Sequence, residues 1–384
     1  MQAVTTIGLD IAKSVFQVHG IDAHSKVVVR RQLKRRYVLA FFKKLSPCLV
    51  GIEACATSHY WSRELQALGH TVRLMPPAYV KPYLKRQKND ATDAEAVCEA
   101  VGRPNMRFVE TKTAEQQSCL MLHRTRHLFV RQQNAVINSI RAHLAELGIV
   151  APVGRNGVEE LLDVVADPDD DLLPDAAREC VAALGAQLRM LKAQILEFDR
   201  RILAWHRSNE TSKRLDEIPG VGPVLATALV ASVADPKAFR SGRDFSAWIG
   251  LVPKQNSSGG KEKLGNITKR GDRYLRSLFT AGALAVIRYA KIHGTKHRPW
   301  LKAVLDPASW SDEYNAGRLH EQHAQVALAT LGDTPQDRSI TSRHLLRHQA
   351  KPSSKIAAPR ECCAIADRRD NGTQDDRADA GDRH

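Results

Sequence analysis

The sequence predicts a mixed α/β domain followed by an all-α remainder. Three observations carry this. Residues 5 to 22, TTIGLDIAKSVFQVHGID, read as strand, tight turn, strand, and KVVVRRQL from Lys26 to Leu33 reads as a third strand. Strand and helix then alternate: a short helix from Tyr37 to Leu45, the buried strand CLVGIEA, the amphipathic helix SHYWSRELQALG, the strand HTVRLMPP stopped by its prolines, and the helix NDATDAEAVCEAV. Three strands followed by alternating helix and strand fit a mixed sheet. From Thr113 the apolar period lengthens and long helices take over.

Asn89 or Asp90 stands where the helix NDATDAEAVCEAV needs a cap. In the helical middle, Ile137, Ile140, Leu144 and Leu147 are spaced at helical intervals. Val181, Leu184, Leu188, Leu191, Ile195, Phe198, Ile202 and Trp205 alternate three and four apart. An intermolecular coiled coil and an intramolecular helical hairpin both satisfy such a seam. The acidic connector ADPDDDLLPD separates the two stretches. Residues 210–300 form a further unit, mostly helical and rich in glycine and basic residues. The tail, 301–384, is polar, charged and aperiodic, and is expected to be largely disordered.

With 57 Lys and Arg against 42 Asp and Glu, the formal net charge of the 384 residues is +15. Such an excess suits a polyanion, with nucleic acid the commonest soluble one. No long uncharged apolar run exists, and the N-terminus MQAVTTIGLDIAKS lacks a signal core, so the expectation is a cytoplasmic protein without a membrane partner. The seven cysteines form no CxxC pair and have no histidines at zinc spacing, which leaves reduced thiols.

Within this basic chain, four acids occupy costly or convergent places. Asp10 lies inside an apolar strand, Glu53 ends the apolar run CLVGIE, and Asp90 and Asp93 are three apart on one helix face. Acids at the ends of adjacent strands, faced by a helix pair, can meet at one point. Clustered hard oxygens take magnesium, or manganese in its place, and such ions serve phosphodiester chemistry. Singly, each acid has a plain structural reading as a turn residue, a strand-end charge or a helix cap.

IGLDIAK, GIEACATSHYW and KNDATDAEA resemble the three acidic motifs of the DEDD transposases, the 110/1111 family of bacterial insertion sequences. The resemblance runs from Met1 to about Trp300. It implies a RuvC-like ribonuclease-H fold for residues 1–112, related to Holliday-junction resolvases, and metal-ligand roles for Asp10, Glu53, Asp90 and Asp93. It also implies a helical, coiled-coil region over 113–209 and a C-terminal transposase domain over 210–300.

In the C-terminal unit, EIPGVGPVLATALVASV reads as a helix-hairpin-helix turn. There Gly220 and Gly222 can take backbone angles closed to other residues and let a phosphate approach. A plain turn between packed helices fits the same residues. PKQNSSGGK places two serines before two glycines in a loop surrounded by Lys254, Lys261, Lys263, Lys269, Arg270, Arg273 and Arg276. A serine needs a base, a metal or a dense positive field to act as a nucleophile. The segment and the downstream KRGDRYLR resemble the family's serine domain, which points to Ser258 as nucleophile, with adjacent Ser257 left open.

The resemblance further implies a homo-oligomer, dimer or tetramer, in which the metal domain of one protomer works with the serine of another. It implies DNA as substrate and a structured element-encoded RNA as guide. The basic runs Arg30-Arg31, Lys34-Arg35-Arg36 and Lys81 to Lys88 suit nucleic-acid backbone or a solvated surface equally. The function expected is strand cutting and rejoining that moves an insertion sequence. The alternatives are a resolvase-like endonuclease, a sugar-kinase or actin-like ATPase suggested by IGLDIAK, and a non-catalytic nucleic-acid binder. After Leu305 the chain departs from the Ala-rich helix with which the family continues.

Overall fold

The computed structural model describes residues 3–85, 89–167, 173–261 and 263–294. The tail 301–384, the KHRPW segment and parts of the Lys81–Lys88 run and the acidic connector lie outside the described residues. The chain divides into two compact units. One comprises Met1–Phe198 and Val230–Ala238; the other comprises Asp199–Leu229 and the described residues from Phe239 onward.

The first unit begins with β1 (Thr6–Ile11), β2 (Val15–Ile21), β3 (Val27–Lys34), α1 (Val38–Phe42), β4 (Leu49–Glu53), α2 (Ser58–Ala67), β5 (Thr71–Met75), α3 (Pro77–Val80) and α4 (Asp90–Val101). The five strands form one mixed sheet in the order β3-β2-β1-β4-β5. The β1-β2-β3 meander is antiparallel, whereas β4 and β5 run parallel to β1. Parallel pairs need crossovers, which α1 and α2 supply. On one face Ile7, Leu9, Phe16, Val18, Leu33, Val50 and Ile52 pack against Val38 and Phe42 of α1 and Trp61 and Leu65 of α2. On the other, α4 buries Ala96, Val97, Ala100 and Val101 together with Met75 and Val80.

Three helices follow: α5 (Ala114–Ala145), α6 (Arg155–Ala166) and α7 (Asp175–Ser208). Thr113 caps α5 reciprocally with Gln116. The sequence reading passed over α6, although Val158, Leu161 and Val165 recur at helical spacing, and this helix decides the outcome for the heptad pattern. Its Val158, Leu161 and Val165 share one core with Val136, Ile140 and Leu144 of α5 and with Val181, Leu188 and Leu191 of α7. Phe198 stacks edge-on against Phe129 of α5 at 5.5 Å. The first part of the α7 seam is therefore filled within one chain, as the helical-hairpin reading expects. Leu147 falls beyond the end of α5 and is exposed.

The second unit holds α8 (Glu210–Asp216), α9 (Pro223–Ser232) as far as Leu229, α10 (Gly242–Ile249), β6 (Pro253–Gln255), β7 (Leu264–Ile267) and α11 (Arg273–His293). The serine-bearing segment, expected to be a loop, is the connection of the antiparallel β6-β7 hairpin. Among the described residues, no helix is long and apolar enough to cross a membrane.

Because Leu188 is fully buried while Leu196 is half exposed on the same helix, the two should respond differently to truncation. Leu188→Ala should cost about 2–5 kcal/mol in chemical denaturation, and Leu196→Ala less than about 0.5 kcal/mol. Equal effects would mean that the seam is not an intramolecular core.

Candidate active site

The first site is built by a pair of glycines that the acidic motifs carry with them. Gly8 of β1 and Gly51 of β4 are register partners on adjacent strands. A Cβ on Gly8 would lie 2.1 Å from the Ala94 carbonyl oxygen and 2.4 Å from the Cys98 nitrogen of α4, and one on Gly51 would lie 2.8 Å from Val101 Cβ. Only glycine lets α4 lie this close to the sheet. Asp10 and Glu53 each follow one of these glycines by two residues, so both side chains fall on the α4 side of the pleat.

At the start of α4, Asn89 accepts from the Thr92 N–H at 2.9 Å, and Thr92 Oγ1 accepts from the Asn89 N–H at 3.2 Å. This reciprocal cap leaves Asp90 and Asp93 with no capping duty, although both sit in the first turn, where the helix dipole favours negative charge. Carboxylate oxygens of Asp10, Asp90 and Asp93 lie within 4.8 Å of one another. One Asp93 oxygen is buried.

Glu53 stands outside that trio but is close enough to act on Asp10. The Asp10 carboxyl is pushed up to about 6, first by burial and then by the charges of Asp93, Asp90 and Glu53; a hydrogen bond from the Ile11 backbone opposes the rise. Like charges crowded in a half-buried place are relieved by a cation. Three hard oxygen donors within one ion's reach, with a fourth acid nearby, fit a divalent metal. The structure thus brings all four predicted acids to one end of the sheet. The sequence reading missed Gly8 and Gly51, although their signal was present as a glycine two residues before each strand acid.

The second site lies in the other unit. Ser258 and Lys261 exchange backbone hydrogen bonds at 3.3 and 3.1 Å across Gly259 and Gly260. Both glycines have positive φ, at 56° and 76°. That is a two-residue hairpin turn whose handedness matches the strands and which glycine satisfies without strain. The two serines differ. Ser257 Oγ accepts from the Lys263 N–H at 3.1 Å, whereas among the described residues no hydrogen bond engages Ser258 Oγ. Ser258 is exposed at the tip.

Lys254, Lys261, Lys269, Arg270 and Arg273 are all exposed in this unit. The loop bearing Lys269 and Arg270 is anchored by backbone contact. A Cβ on Gly250 would meet the Arg270 carbonyl at 1.8 Å, and one on Gly271 would meet the Trp248 carbonyl at 1.9 Å. Lys269 holds a left-handed φ of 54° and donates its N–H to the Gly250 carbonyl at 3.2 Å.

The glycine turn between α8 and α9 corrects one expectation. Gly220 does take a left-handed φ of 86°. Gly222 does not, and a Cβ there would meet nothing within 4 Å. The Gly220 carbonyl also backs onto α11, where a Cβ on Gly282 would lie 2.0 Å away. The special conformation at Gly220 serves the turn and this helix packing.

Two expectations follow for the acidic site. Gly8→Ala should cost about 1–3 kcal/mol or more by overpacking and should weaken divalent-cation binding in calorimetry; unchanged cation binding would remove the glycine from the site's construction. In metal-free protein, Asp10 keeps its proton up to about pH 6, against an ordinary value of 3.8. The folded state therefore binds more protons than the unfolded one in that window and loses stability as pH rises through it. Asp10→Asn should melt higher than the wild type above pH 6 in chelator, with the difference vanishing below the ordinary carboxylate range. A constant difference across the range would refute the assignment.

Comparison with known proteins agrees with this architecture. Residues 7–149 match the DEDD-type IS110 transposase family, and residues 212–299 match the family described as Transposase IS116/IS110/IS902. The chain is 48% identical over 303 residues to a probable family 20 transposase of Pseudomonas aeruginosa, covering 79% of this chain and 90% of that one. It is 38% identical over 306 residues to the transposase for insertion sequence element IS1111A of Coxiella burnetii, covering 80% and 84%. It is 36% identical over 305 residues to the transposase for insertion sequence element IS1328 of Yersinia enterocolitica, covering 79% and 90%. With both of its halves matched in order, and with relatives this similar over most of their length, the chain belongs to the IS116/IS110/IS902 family of transposases, enzymes that cleave and rejoin DNA.

Proposed function

We propose that this transposase moves its element by two successive phosphoryl exchanges, with Asp10, Glu53, Asp90 and Asp93 holding magnesium and Ser258 acting as the nucleophile. The observation that carries this reading is the convergence of Asp10, Asp90 and Asp93 within 4.8 Å where the end of β1 meets the first turn of α4. Magnesium, or manganese in its place, supplies Lewis acidity and charge neutralisation at a phosphate oxygen when bound there. On this reading residues 1–112 form a RuvC-like domain, 113–209 a helical region, and 210–300 the serine domain.

The Ser258 oxygen forms a bond to phosphorus while one ester oxygen of the DNA strand leaves. The serine hydroxyl proton ends on that leaving oxygen, so the number of phosphate ester bonds is unchanged. A hydroxyl of the second strand then attacks the same phosphorus, and the serine leaves with a proton. Splitting the exchange in this way needs no external energy source. Lys254, Lys261, Lys269, Arg270 and Arg273 orient the phosphate and offset its charge. The backbone at Gly220 and Gly222 is the further DNA contact in this unit.

Ser258 is preferred to Ser257 because the Ser257 hydroxyl already receives the Lys263 N–H inside the hairpin. The protein works as a homo-oligomer, dimer or tetramer, guided by an RNA from its element, as the family resemblance implies.

A nicked DNA substrate traps the intermediate. After denaturation, a peptide containing residues 253–263 should carry DNA through Ser258, and Ser258→Ala should abolish the adduct. Linkage through Ser257 would move the assignment by one residue. Recombinant product without any protein–DNA adduct would leave direct attack by DNA ends as the mechanism.

A further inference from the structure

We propose that the DNA strand leaving the carboxylates runs across β2 and β3 and is gripped at the end of the sheet by Lys13, Lys34, Arg35 and Arg36. This rests on the DNA-cleaving reading above and assigns the strand's path beyond the acids.

Register supplies the track. Asp10 pairs with Gln17 of β2, and Gln17 with Gln32 of β3. The three side chains therefore form one row across three strands on the α4 side of the sheet. Lys34 is two residues beyond Gln32 and falls on the same side, nearer the sheet end. Arg30, two residues before Gln32, reaches Glu95 of α4 at 3.6 Å, as that parity requires. Gln17 is half-buried and Gln32 exposed, so the row presents amides to anything lying over it.

Beside this row, past the ends of β1 and β3, is an open recess of about 400 Å³ lined by Lys13, Ser14, Lys34, Arg35 and Arg36. It is held in shape. The Arg35 N–H donates to the Ser14 carbonyl at 2.9 Å, tying the end of β3 to the β1-β2 turn. The Arg35 guanidinium lies over the buried Trp61 ring at 5.1 Å, and Arg36 over Tyr37 at 4.7 Å. Among the described residues none of these four cations forms an ion pair. By contrast, Arg30 and Lys85 are paired with acids of α4. Lys34 borders the recess from the α4 side and Arg35, lying over Trp61, from the α1/α2 side; four unneutralised charges past the strand ends, beside a polar row that starts at the acids, suit a polymer with repeated charges better than a single small anion. DNA is the polymer those acids act on.

Two strand spacings place the end of β3 about 10 Å from β1. Successive phosphates along one strand are about twice as far apart as the ~3.4 Å rise along the duplex axis, so the gripped phosphate lies about one to two steps from the scissile one.

The test is binding, read by fluorescence anisotropy with a duplex carrying one element end, across a salt series. Arg35 is kept, because it packs on Trp61. Lys13→Ala/Lys34→Ala/Arg36→Ala should melt like the wild type and lower the magnitude of the log–log salt slope by about 2 to 3, near 0.9 per lost phosphate contact. Neutralising single phosphates as methylphosphonates should weaken wild-type binding most about one to two steps from the cleavage point and should have little effect at that position on the triple variant. An unchanged slope, or an interfering phosphate elsewhere, overturns the proposal while leaving the cleavage reading intact. A variant that binds this duplex normally but loses affinity for RNA transcribed from the element's flank overturns it in favour of an RNA contact. A wild-type protein with no affinity for the duplex would defeat the DNA reading as well.

Discussion

The acidic site depends on how closely α4 can lie against β1 and β4. Two glycines in register set that distance. With Cβ atoms at Gly8 and Gly51 the helix would collide through its own backbone and through Val101, and no rotamer change relieves a clash with backbone. Once the helix is down, its first turn reaches the ends of the strands and the acids meet. The cost of that meeting is visible in Asp10, whose proton is retained to about pH 6 by burial and by its acidic neighbours. The close approach and the electrostatic strain are two results of one packing choice. The neighbouring Asn89–Thr92 cap closes the helix without using either aspartate.

Much of this was legible in the sequence, for reasons that differ by element. The five strands and α4 announce themselves through alternation, proline stops and an Asn cap, all of which are local signals. The four acids were legible as a set because buried or strand-end carboxylates are costly without a partner. The glycines were not picked out, because a glycine in a strand has many local uses and only the neighbour across the sheet decides which applies. The α7 seam illustrates the same limit. A three-four repeat states that one face is apolar, and both a coiled coil and a hairpin obey it. What resolved Val181, Leu188 and Leu191 was α6, a 12-residue helix whose stripe of Val158, Leu161 and Val165 is too short to declare by itself which seam it fills.

The serine segment reads from sequence as a loop, and in the structure it is the connection of a hairpin. Ser-Ser-Gly-Gly among lysines reads as a flexible loop when only composition is weighed. Yet two glycines between residues able to pair across a strand ladder are also a strong hairpin signal, and the flanking strands here are too short and too exposed to show alternation. Structure in this unit comes from backbone packing instead. Gly250 and Gly271 press the end of α10 against the loop before α11, so Lys269 and Arg270 are presented from a fixed frame. The hairpin leaves Ser258 at its tip and occupies the hydroxyl of Ser257 in its own ladder.

A chain of net charge +15 has ample means to neutralise four acids, and its use of cations around the sheet is therefore informative. Where α4 needs pairing it has it: Glu95 and Glu99 are met by Arg30, Lys85 and Arg103. Those exposed pairs contribute little stability each, but they are placed away from the helix start. Asp10 is raised chiefly by burial and acids, and the four cations at the end of the same sheet form no ion pair among the described residues. Had Lys34 or Lys13 been folded onto Asp10, the carboxyl would have been held down and the donor set spent on an ammonium group. On the proposed reading, keeping Asp10 apart from these cations leaves the acids for a metal cation and the cations for a polyanion, and a phosphodiester strand crossing β2 and β3 would satisfy both.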